Sequence, residues 1–427
     1  MFAMNVEGVF FGMPSAILPI IESDFVSCVE LEKIVMRLET TKVLGLQIVC
    51  GLLFISSQAF SEDLIARSWG LNKAPGIEVE KAWAVSKPKC ENSGVIVAVV
   101  DTGMDINHPD LKNSLWVNTV EKNGKPGIDD DHNGFVDDVN GWDFATNTGK
   151  IVDEHGHGSH IAGLISANGS GPLSLKGVCP GVKIMPIRYY NKNANGIVNL
   201  QNSIKSLQYA VKNGAQIINY SGGGAEFSNE EFEAIREAEK KGILVVAAAG
   251  NERNNADKKQ YYPAAYPLNN IISVAAIQPN GRLISLSNWG VEKVHVAAPG
   301  ENILSTLPNN SYGSMSGTSQ ATAYVSGIAA LLLSENRSLK VAKIKSLIES
   351  SSVKSPFLKN KTRTGGRVSA VAAMESLLNV KAKKFNSKKI AADKKKSNKS
   401  RLVSSQETKD LIPSVSKPSS SLWEILR

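Results

Sequence analysis

The body of this chain lacks the excess of positive charge that would indicate a nucleic-acid-binding surface. Its 427 residues include 48 lysines and arginines against 40 aspartates and glutamates, a formal net charge of +8. Residues 381–427 alone hold 13 basic and 4 acidic residues, which leaves 35 and 36 for the first 380. The basicity therefore belongs to a tail, and we predict no nucleic-acid partner for the rest of the chain.

The chain also lacks, near its N-terminus, an apolar run long enough to cross a membrane comfortably. Residues 43–55 are mostly apolar, follow a basic start, and precede the small residues Ser57 and Ala59. This order is typical of an export signal cleaved near Ala59, although a buried core helix would show a similar run. We therefore predict a secreted, periplasmic or cell-surface protein, with Met36 as an alternative start of translation.

Cysteine is scarce, with four residues in the whole chain. Cys28 and Cys50 lie in the segment that we expect to be removed, so Cys90 and Cys179 would remain. In an exported, oxidising compartment the sequence is equally consistent with a bridge between these two residues and with two free thiols.

The composition divides the chain into three parts. Residues 1–59 form the N-terminal extension and signal peptide, and residues 60–380 form the folded domain. Residues 381–427 are Lys-rich with few large apolar side chains, a composition that cannot bury enough surface to order itself. We predict a disordered tail, for which one role would be contact with an anionic surface.

Apolar β-branched runs alternate with helical patterns from about residue 80 onward. "GVIVAVVDTG" (94–103) is typical of a buried parallel strand, whereas "NLQNSIKSLQYAVKNG" spaces its apolar residues as a helix does. This alternation predicts an α/β, three-layer fold whose mostly parallel central sheet is covered by helices. Such sheets bind ligands at the carboxyl ends of their strands, so chemistry is expected at Asp101, in the Ser221–Gly224 run and at Asn251.

Three of the six histidines lie in "DEHGHGSHIAG" (153–163), namely His155, His157 and His160. With the adjacent carboxylates they could bind zinc, or one of them could be catalytic and the other two structural.

Two further residues, Asp101 and Ser319, support the catalytic alternative. Asp101 ends a predicted strand, His157 lies at a helix entry, and Ser319 in "GTSQA" lies at another helix entry. A serine hydroxyl needs a base to become a nucleophile, and a buried carboxylate can orient an imidazole as that base. Asn251, after the strand "VVAAAGNE", could donate a hydrogen bond to an oxyanion, although asparagine is also a common turn residue.

The segments around these four residues resemble those of the subtilisin-like serine peptidases, the subtilases. "VAVVDTGMDINHPDL", "HGSHIAG", "AAAGNE" and "GTSQATAYVSG" occur in the family's order, and "YPAAYP", "NWG" and "VAAPG" also match. The resemblance covers roughly residues 65–380 and implies a subtilase catalytic domain of the subtilisin-like fold. Few residues separate Ala59 from its first segment, so we expect no folding-assisting propeptide.

The resemblance implies a role for each of the four residues. Asp101 would orient the base, His157 would be the base, Ser319 the nucleophile and Asn251 the oxyanion donor. The zinc interpretation then becomes the weaker one, with His160 packed inside and His155 in the preceding loop. The chain departs from the family's usual serine segment at Gln320, Ala323 and Tyr324, positions that carry no chemistry.

The segment "NYSGGGAEF" resembles the strand along which subtilases bind an extended substrate. Ser221, Gly222 and Gly223 have little or no side chain, so a peptide could pair its backbone there. A flexible glycine turn is the alternative. Glu252 would lie near the adjoining pocket and would favour a polar or basic residue before the cut.

The loop "GIDDDHNGFVDD" (127–138) follows the spacing of oxygen ligands in a calcium loop. The candidate ligands are Asp129, Asp131, Asn133, Asp137 and, in place of the missing closing Glu, Asp138. We predict a structural Ca²⁺ there, with a solvated acidic loop as the alternative. Asp110 matches another calcium ligand of the family.

The sequence therefore predicts an exported serine endopeptidase that is a monomer, acts on protein or peptide substrates, and forms an acyl-enzyme on Ser319. Two alternatives stay open: a catalytically silent subtilase-like binding protein, and a peptide ligase or cyclase that uses the same acyl-enzyme.

Overall fold

The structure, a computed structural model, describes residues 69–72 and 74–379, which fall within one compact unit. The predicted signal peptide, Cys28, Cys50 and the Lys-rich tail lie outside the described residues. Among the residues described, no helix is both long and apolar enough to span a membrane.

The strands of the described region form one large sheet and one hairpin. In chain order they are β1 (Ile96–Asp101), β2 (Trp142–Asp143), β3 (Lys183–Arg188), β4 (Ile217–Tyr220), β5 (Leu244–Ala248), β6 (Ile271–Ile277), β7 (Val296–Pro299), β8 (Ile303–Leu307), β9 (Ser311–Met315), β10 (Val353–Lys354) and β11 (Gly366–Arg367). The large sheet has the order β10-β11-β7-β6-β5-β4-β1-β3-β2, with an antiparallel pair only at β10 and β11. The predicted α/β architecture is confirmed.

Helices cover both faces of the sheet. They are α1 (Val79–Ser86), α2 (Thr119–Asn123), α3 (His157–Ser166), α4 (Gly196–Lys212), α5 (Asn229–Lys240), α6 (Thr318–Glu335) and α7 (Val341–Ser350), and residues 370–379 are also helical. Two large apolar cores result, one packed with side chains of α3, α6 and α7 and the other with side chains of α4 and α5. A smaller apolar cluster includes Ile277 of β6 and Ala297 of β7.

Alternation along the strands produces the two cores. On β1, Val97 and Val99 belong to the core beneath α3 and α6, whereas Ala98 and Val100 belong to the core beneath α4 and α5. Successive side chains of a strand point to opposite faces, so a strand covered on both faces must be apolar throughout. The continuous apolar runs in the sequence follow from this double burial.

The antiparallel hairpin of β8 and β9 was not predicted from the sequence. Its second strand, "SYGSM", is largely exposed or half-buried and has none of the apolar run that marks the strands of the main sheet. Helix α3 packs closely on β8 because Gly163 has no side chain: a Cβ there would lie 2.2 Å from Oγ1 of Thr306.

A disulfide joins Cys90 to Cys179 across 89 residues of sequence. Both residues are buried in the core beneath α3 and α6. Of the two alternatives that the sequence left open, the structure has the bridge. Closing so long a loop restricts the unfolded chain, which favours the folded state.

Replacing both cysteines, as Cys90→Ala/Cys179→Ala, should lower the free energy of unfolding by about 2–5 kcal/mol, because the unfolded chain regains its freedom. Urea unfolding of the wild-type protein and the double variant would measure this. A reducing agent should destabilise the wild type but leave the double variant unchanged. Equal midpoints for the two proteins would contradict the prediction.

Candidate active site

Three neighbouring strands of the sheet end at one edge beside the candidate residues. Asp101 is the last residue of β1, Ser221 directly follows β4, and Asn251 lies three residues beyond β5. Because β5, β4 and β1 are adjacent and parallel, their carboxyl ends lie side by side. This is the edge at which parallel sheets bind their ligands.

Asp101 and His157 are joined by a direct hydrogen bond. Nδ1 of His157 lies 2.7 Å from Oδ1 of Asp101, whose carboxylate is buried. His157 is the first residue of α3, and the next residue, Gly158, lets the helix approach the end of β1. A Cβ on Gly158 would lie 2.0 Å from the carbonyl oxygen of Gly103. The glycine therefore makes the Asp101–His157 contact sterically possible.

The charge around His157 favours its protonated form. Burial by itself would lower the pKa of the imidazole, but the charge and hydrogen bond of Asp101, together with the charge of Asp153, outweigh burial and raise it. With Nδ1 engaged by Asp101, the neutral ring presents Nε2 as its free acceptor.

Asp153 fixes the loop that precedes His157. Its Oδ1 accepts hydrogen bonds from the Thr102 hydroxyl at 2.9 Å and from the Gly156 backbone N–H at 2.7 Å. Its Oδ2 accepts from both the N–H and the hydroxyl of Ser159. Asp153 thus ties the end of β1 to the start of α3, a positioning role that the sequence analysis missed because it treated Asp153 only as a metal candidate.

Ser319 is the second residue of α6, and its side chain is almost wholly buried. Its hydroxyl donates to the backbone carbonyl of Ser221 at 3.1 Å. Within residues 69–72 and 74–379, no hydrogen bond joins this hydroxyl to His157. Rotation about the Cα–Cβ bond of Ser319 would therefore be needed to turn the hydroxyl from Ser221 toward a base.

Asn251 is held against the same helix start. Its Oδ1 accepts from the backbone N–H of Thr318 at 3.0 Å and from the Thr318 hydroxyl at 3.2 Å. The oxygen of the amide is thereby fixed, and Nδ2 has no protein acceptor in the described part of the chain. Asn251 is exposed, so Nδ2 is free to donate to a bound molecule.

The two other histidines of the cluster face different surroundings. His160 is fully buried with Nε2 2.9 Å from the Ile303 carbonyl, and burial lowers its pKa to about 4. His155 is exposed, and its ring contacts those of His157 and Tyr190 edge-on. Among the residues described, the candidate metal cluster is formed by carboxylates elsewhere, not by these rings.

Two of the residues that depart from the family's serine segment are buried on α6. Tyr324 packs its ring over Gly70, where a Cβ would lie 2.5 Å from the phenol oxygen. Gln320 is also buried, and its Nε2 has no partner within the described region. Ala323, the third of these residues, is buried as well.

The segment Ser221–Gly224 offers free backbone groups beside Ser319. Gly224 and Tyr262 exchange two backbone hydrogen bonds of 2.9 and 2.7 Å, which anchor the segment at its far end. In the part of the chain that the structure describes, the N–H and C=O groups of Gly222 and Gly223 have no partner. Gly223 is exposed, so an extended peptide has backbone groups to pair with at this point.

The acidic loop gathers carboxylates around Glu121, a residue of α2 that the sequence analysis missed. Oxygen atoms of Glu121, Asp129 and Asp131 all lie within 4.8 Å of one another. Glu121 is buried, and its carboxylate accepts backbone N–H groups of Asp130, Asp131 and Asp137. An acidic residue six positions before the loop was the only sequence signal for it.

The remaining predicted ligands are engaged by the protein itself. Asp138 is fully buried, and its carboxylate accepts from Asn118, Asn133 and the Tyr209 hydroxyl. Burial raises the pKa of Asp138 against the effect of these donors. Asp137 accepts from the Gly127 N–H. Asp110, elsewhere in the fold, accepts from the Gly171 N–H and the Tyr312 hydroxyl.

Comparison with known proteins places this architecture in a family. The Subtilase family (peptidase S8) matches residues 92–387. Subtilisin-like protease 1 of Plasmodium berghei (strain Anka) is 32% identical over 339 residues, which cover 75% of this chain and 56% of that protein. The chain thus spans about half the length of the Plasmodium relatives it matches.

Bacterial relatives are covered more fully. Thermitase of Thermoactinomyces vulgaris is 35% identical over 289 residues, 68% of this chain and 89% of that protein. The major intracellular serine protease of Bacillus subtilis (strain 168) is 39% identical over 267 residues, 62% of this chain and 76% of that protein.

A solved structure shares the fold. The crystal structure of a cold adapted subtilisin-like serine proteinase matches with a TM-score of 0.53 and 27% identity, covering 65% of this chain and 90% of the other. With the family match extending over most of the domain, the chain belongs to the subtilase family.

Proposed function

We propose that this protein is an exported serine endopeptidase that hydrolyses peptide bonds through an acyl-enzyme on Ser319. The observation that carries the proposal is the 2.7 Å hydrogen bond between His157 and the buried Asp101, at the sheet edge that Ser319 borders through its bond to Ser221. Family membership supports it, since the relatives compared above are named as proteases. The substrates would be proteins or peptides.

His157 would act as the general base. Asp101 accepts a hydrogen bond from the Nδ1–H group, which leaves Nε2 to take the proton of the Ser319 hydroxyl once that hydroxyl turns away from Ser221. The serine oxygen attacks the substrate carbonyl, and the imidazolium then gives its proton to the leaving amine. Water, deprotonated by the same ring, releases the acyl group and regenerates the serine.

Asn251 would stabilise the oxyanion of the tetrahedral intermediate. The bond from Thr318 N–H to Oδ1 orients the amide, and Nδ2 is left as a donor that costs no reorganisation when charge develops. The backbone N–H of Ser319 lies at the start of α6, where the helix field also favours a negative charge.

The disulfide supports export. Bridges form and persist in oxidising compartments and are rare in the cytosol of most organisms. The buried bond between Cys90 and Cys179 therefore agrees with an export signal at residues 1–59, which lie outside the described residues. A tail at residues 381–427, also outside them, would supply contact with an anionic surface.

The acidic loop fits a calcium ion by its donor chemistry. Ca²⁺ takes carboxylate oxygens at 2.3–2.6 Å, so oxygens on opposite sides of one ion are about 4.8 Å apart. Oxygen atoms of Glu121, Asp129 and Asp131 meet this limit, and the negative charges of the three carboxylates repel one another. A bound ion would neutralise that repulsion and fix the loop to α2, which is a structural role.

Ser319→Ala should abolish covalent labelling by a fluorophosphonate probe, because the probe needs an activated serine oxygen. Mass spectrometry of the wild-type protein should locate the label on Ser319. Ser314→Ala is the matched control, since Ser314 is an exposed serine on β9, and it should label normally. A folded wild-type protein that takes no label would favour the silent binding protein, and ligated instead of hydrolysed products would favour a ligase.

The rate at low substrate concentration should rise with pH as His157 loses its proton, with a midpoint above the ordinary value of about 6.5. The raised pKa keeps the base protonated, and so inactive, to a higher pH. Asp101→Asn removes the charge that raises it, so the midpoint should fall and kcat should drop by about 10⁴. Profiles of kcat/KM against pH would measure both effects. His155→Ala should leave the midpoint in place, and an unshifted midpoint in Asp101→Asn would contradict the assignment.

Calcium at a hundred times its Kd should stabilise the wild-type protein by about 2.7 kcal/mol. Its melting temperature should therefore rise. The double variant Asp129→Asn/Asp131→Asn should lose this shift, because two of three clustered carboxylates are gone. Asp130→Asn is the matched control in the same loop. Isothermal titration and thermal melting would test the three proteins; a calcium shift that survives in the double variant would contradict this site.

A further inference from the structure

Tyr261 is a half-buried residue whose ring lies between two glycines at the site. A Cβ built on Gly223 would lie 2.6 Å from Cε1 and 3.2 Å from Cζ of the ring. A Cβ built on Gly250 would lie 2.9 Å from Cγ. One end of the ring therefore abuts Gly250 and the other abuts Gly223, so the ring bridges the two segments that contain these glycines.

Those two segments both contact the start of α6, where Ser319 lies. The carbonyl of Ser221, two residues before Gly223, accepts the Ser319 hydroxyl at 3.1 Å. The side chain of Asn251, the neighbour of Gly250, accepts the Thr318 N–H at 3.0 Å. Both segments therefore meet the start of α6, and the ring of Tyr261 lies between them.

The backbone around Tyr261 is held in place. The two bonds between Tyr262 and Gly224 fix the next residue to the candidate substrate segment, and the Ala265 N–H donates to the Tyr261 carbonyl at 2.9 Å. Tyr261 itself makes no side-chain hydrogen bond within the described residues, so its contribution there is the volume of its ring.

We propose that Tyr261 determines substrate specificity by filling the pocket for the residue on the amino-terminal side of the cut. The inference rests on the proposed peptidase function. A peptide paired with Gly222 and Gly223 would direct that residue's side chain between the segments, where the ring leaves room only for a small, uncharged group. The substrate class is peptides with glycine, alanine or serine at this position.

Glu252 does not turn this pocket into a site for basic residues. Its Oε2 already accepts a hydrogen bond from Nδ2 of Asn288 at 2.6 Å. A lysine side chain that reached for the carboxylate would also have to pass the ring of Tyr261, which lies against the neighbouring Gly250. The preference for polar or basic residues suggested by Glu252 in the sequence is therefore replaced by a preference for small ones.

The test compares three fluorogenic peptides that differ only in the residue before the cut: alanine, phenylalanine or lysine. Wild-type kcat/KM should favour alanine over each of the others by about 10–200-fold, the range over which pocket size discriminates side chains. Tyr261→Gly should raise the phenylalanine-to-alanine ratio at least about tenfold. Tyr261→Phe keeps the ring and loses only the hydroxyl, so it should keep the wild-type order of the three peptides.

Fluorophosphonate labelling of Ser319 in each protein separates this inference from the function on which it rests. Normal labelling with efficient cleavage after phenylalanine or lysine by the wild type would overturn the pocket assignment alone, as would an unchanged ratio in labelled Tyr261→Gly. No labelling of the wild type would overturn both proposals. The order of the wild-type kcat/KM values for the three peptides tests the pocket assignment even if Tyr261→Gly does not fold.

Discussion

The hydrogen bond between Asp101 and His157 is the contact on which the rest of the site depends. It joins the end of a buried strand to the start of a helix that packs beneath the sheet, so neither partner can move without disturbing a core. Asp153 reinforces the junction by accepting bonds from Thr102, Gly156 and Ser159. The residue proposed as the general base is thereby held by rigid elements, which is the arrangement that precise chemistry requires.

The proposed nucleophile, Ser319, and the candidate substrate segment form a second unit at the same edge. Ser221 accepts the hydroxyl of Ser319 and donates its own hydroxyl to the Ser319 carbonyl at 3.4 Å. A peptide that pairs with Gly222 and Gly223 would consequently lie in a fixed relation to the serine oxygen. Tyr261, bridging Gly223 and Gly250, belongs to this unit by contact, although it is 58 residues from Ser319 in the sequence.

Two features outside the candidate active site restrain the chain. The Cys90–Cys179 bond closes a long loop inside the core beneath α3 and α6. The acidic loop draws Glu121 of α2 against Asp129 and Asp131, and its neighbour Asp138 is bonded to Tyr209 of α4. Both features link residues that lie outside the strands of the sheet.

Part of the fold and of the candidate site was determined by the sequence alone. The double burial of parallel strands demands continuous apolar runs, so the α/β fold and the positions of Asp101, His157, Ser319 and Asn251 at element ends followed from the pattern and the family resemblance. These are local properties, because a few consecutive residues determine where a strand or helix ends.

Contacts between distant segments were decided only by the tertiary structure. The sequence left the pairing of Cys90 and Cys179 open, missed Glu121 and Asp153, and gave no sign that Tyr261 lies between Gly223 and Gly250. Nor did it indicate that the Ser319 hydroxyl bonds to Ser221. Each of these depends on which loops the folded sheet brings together, and on the rotamers that remain once they are packed, information that no short stretch of residues carries.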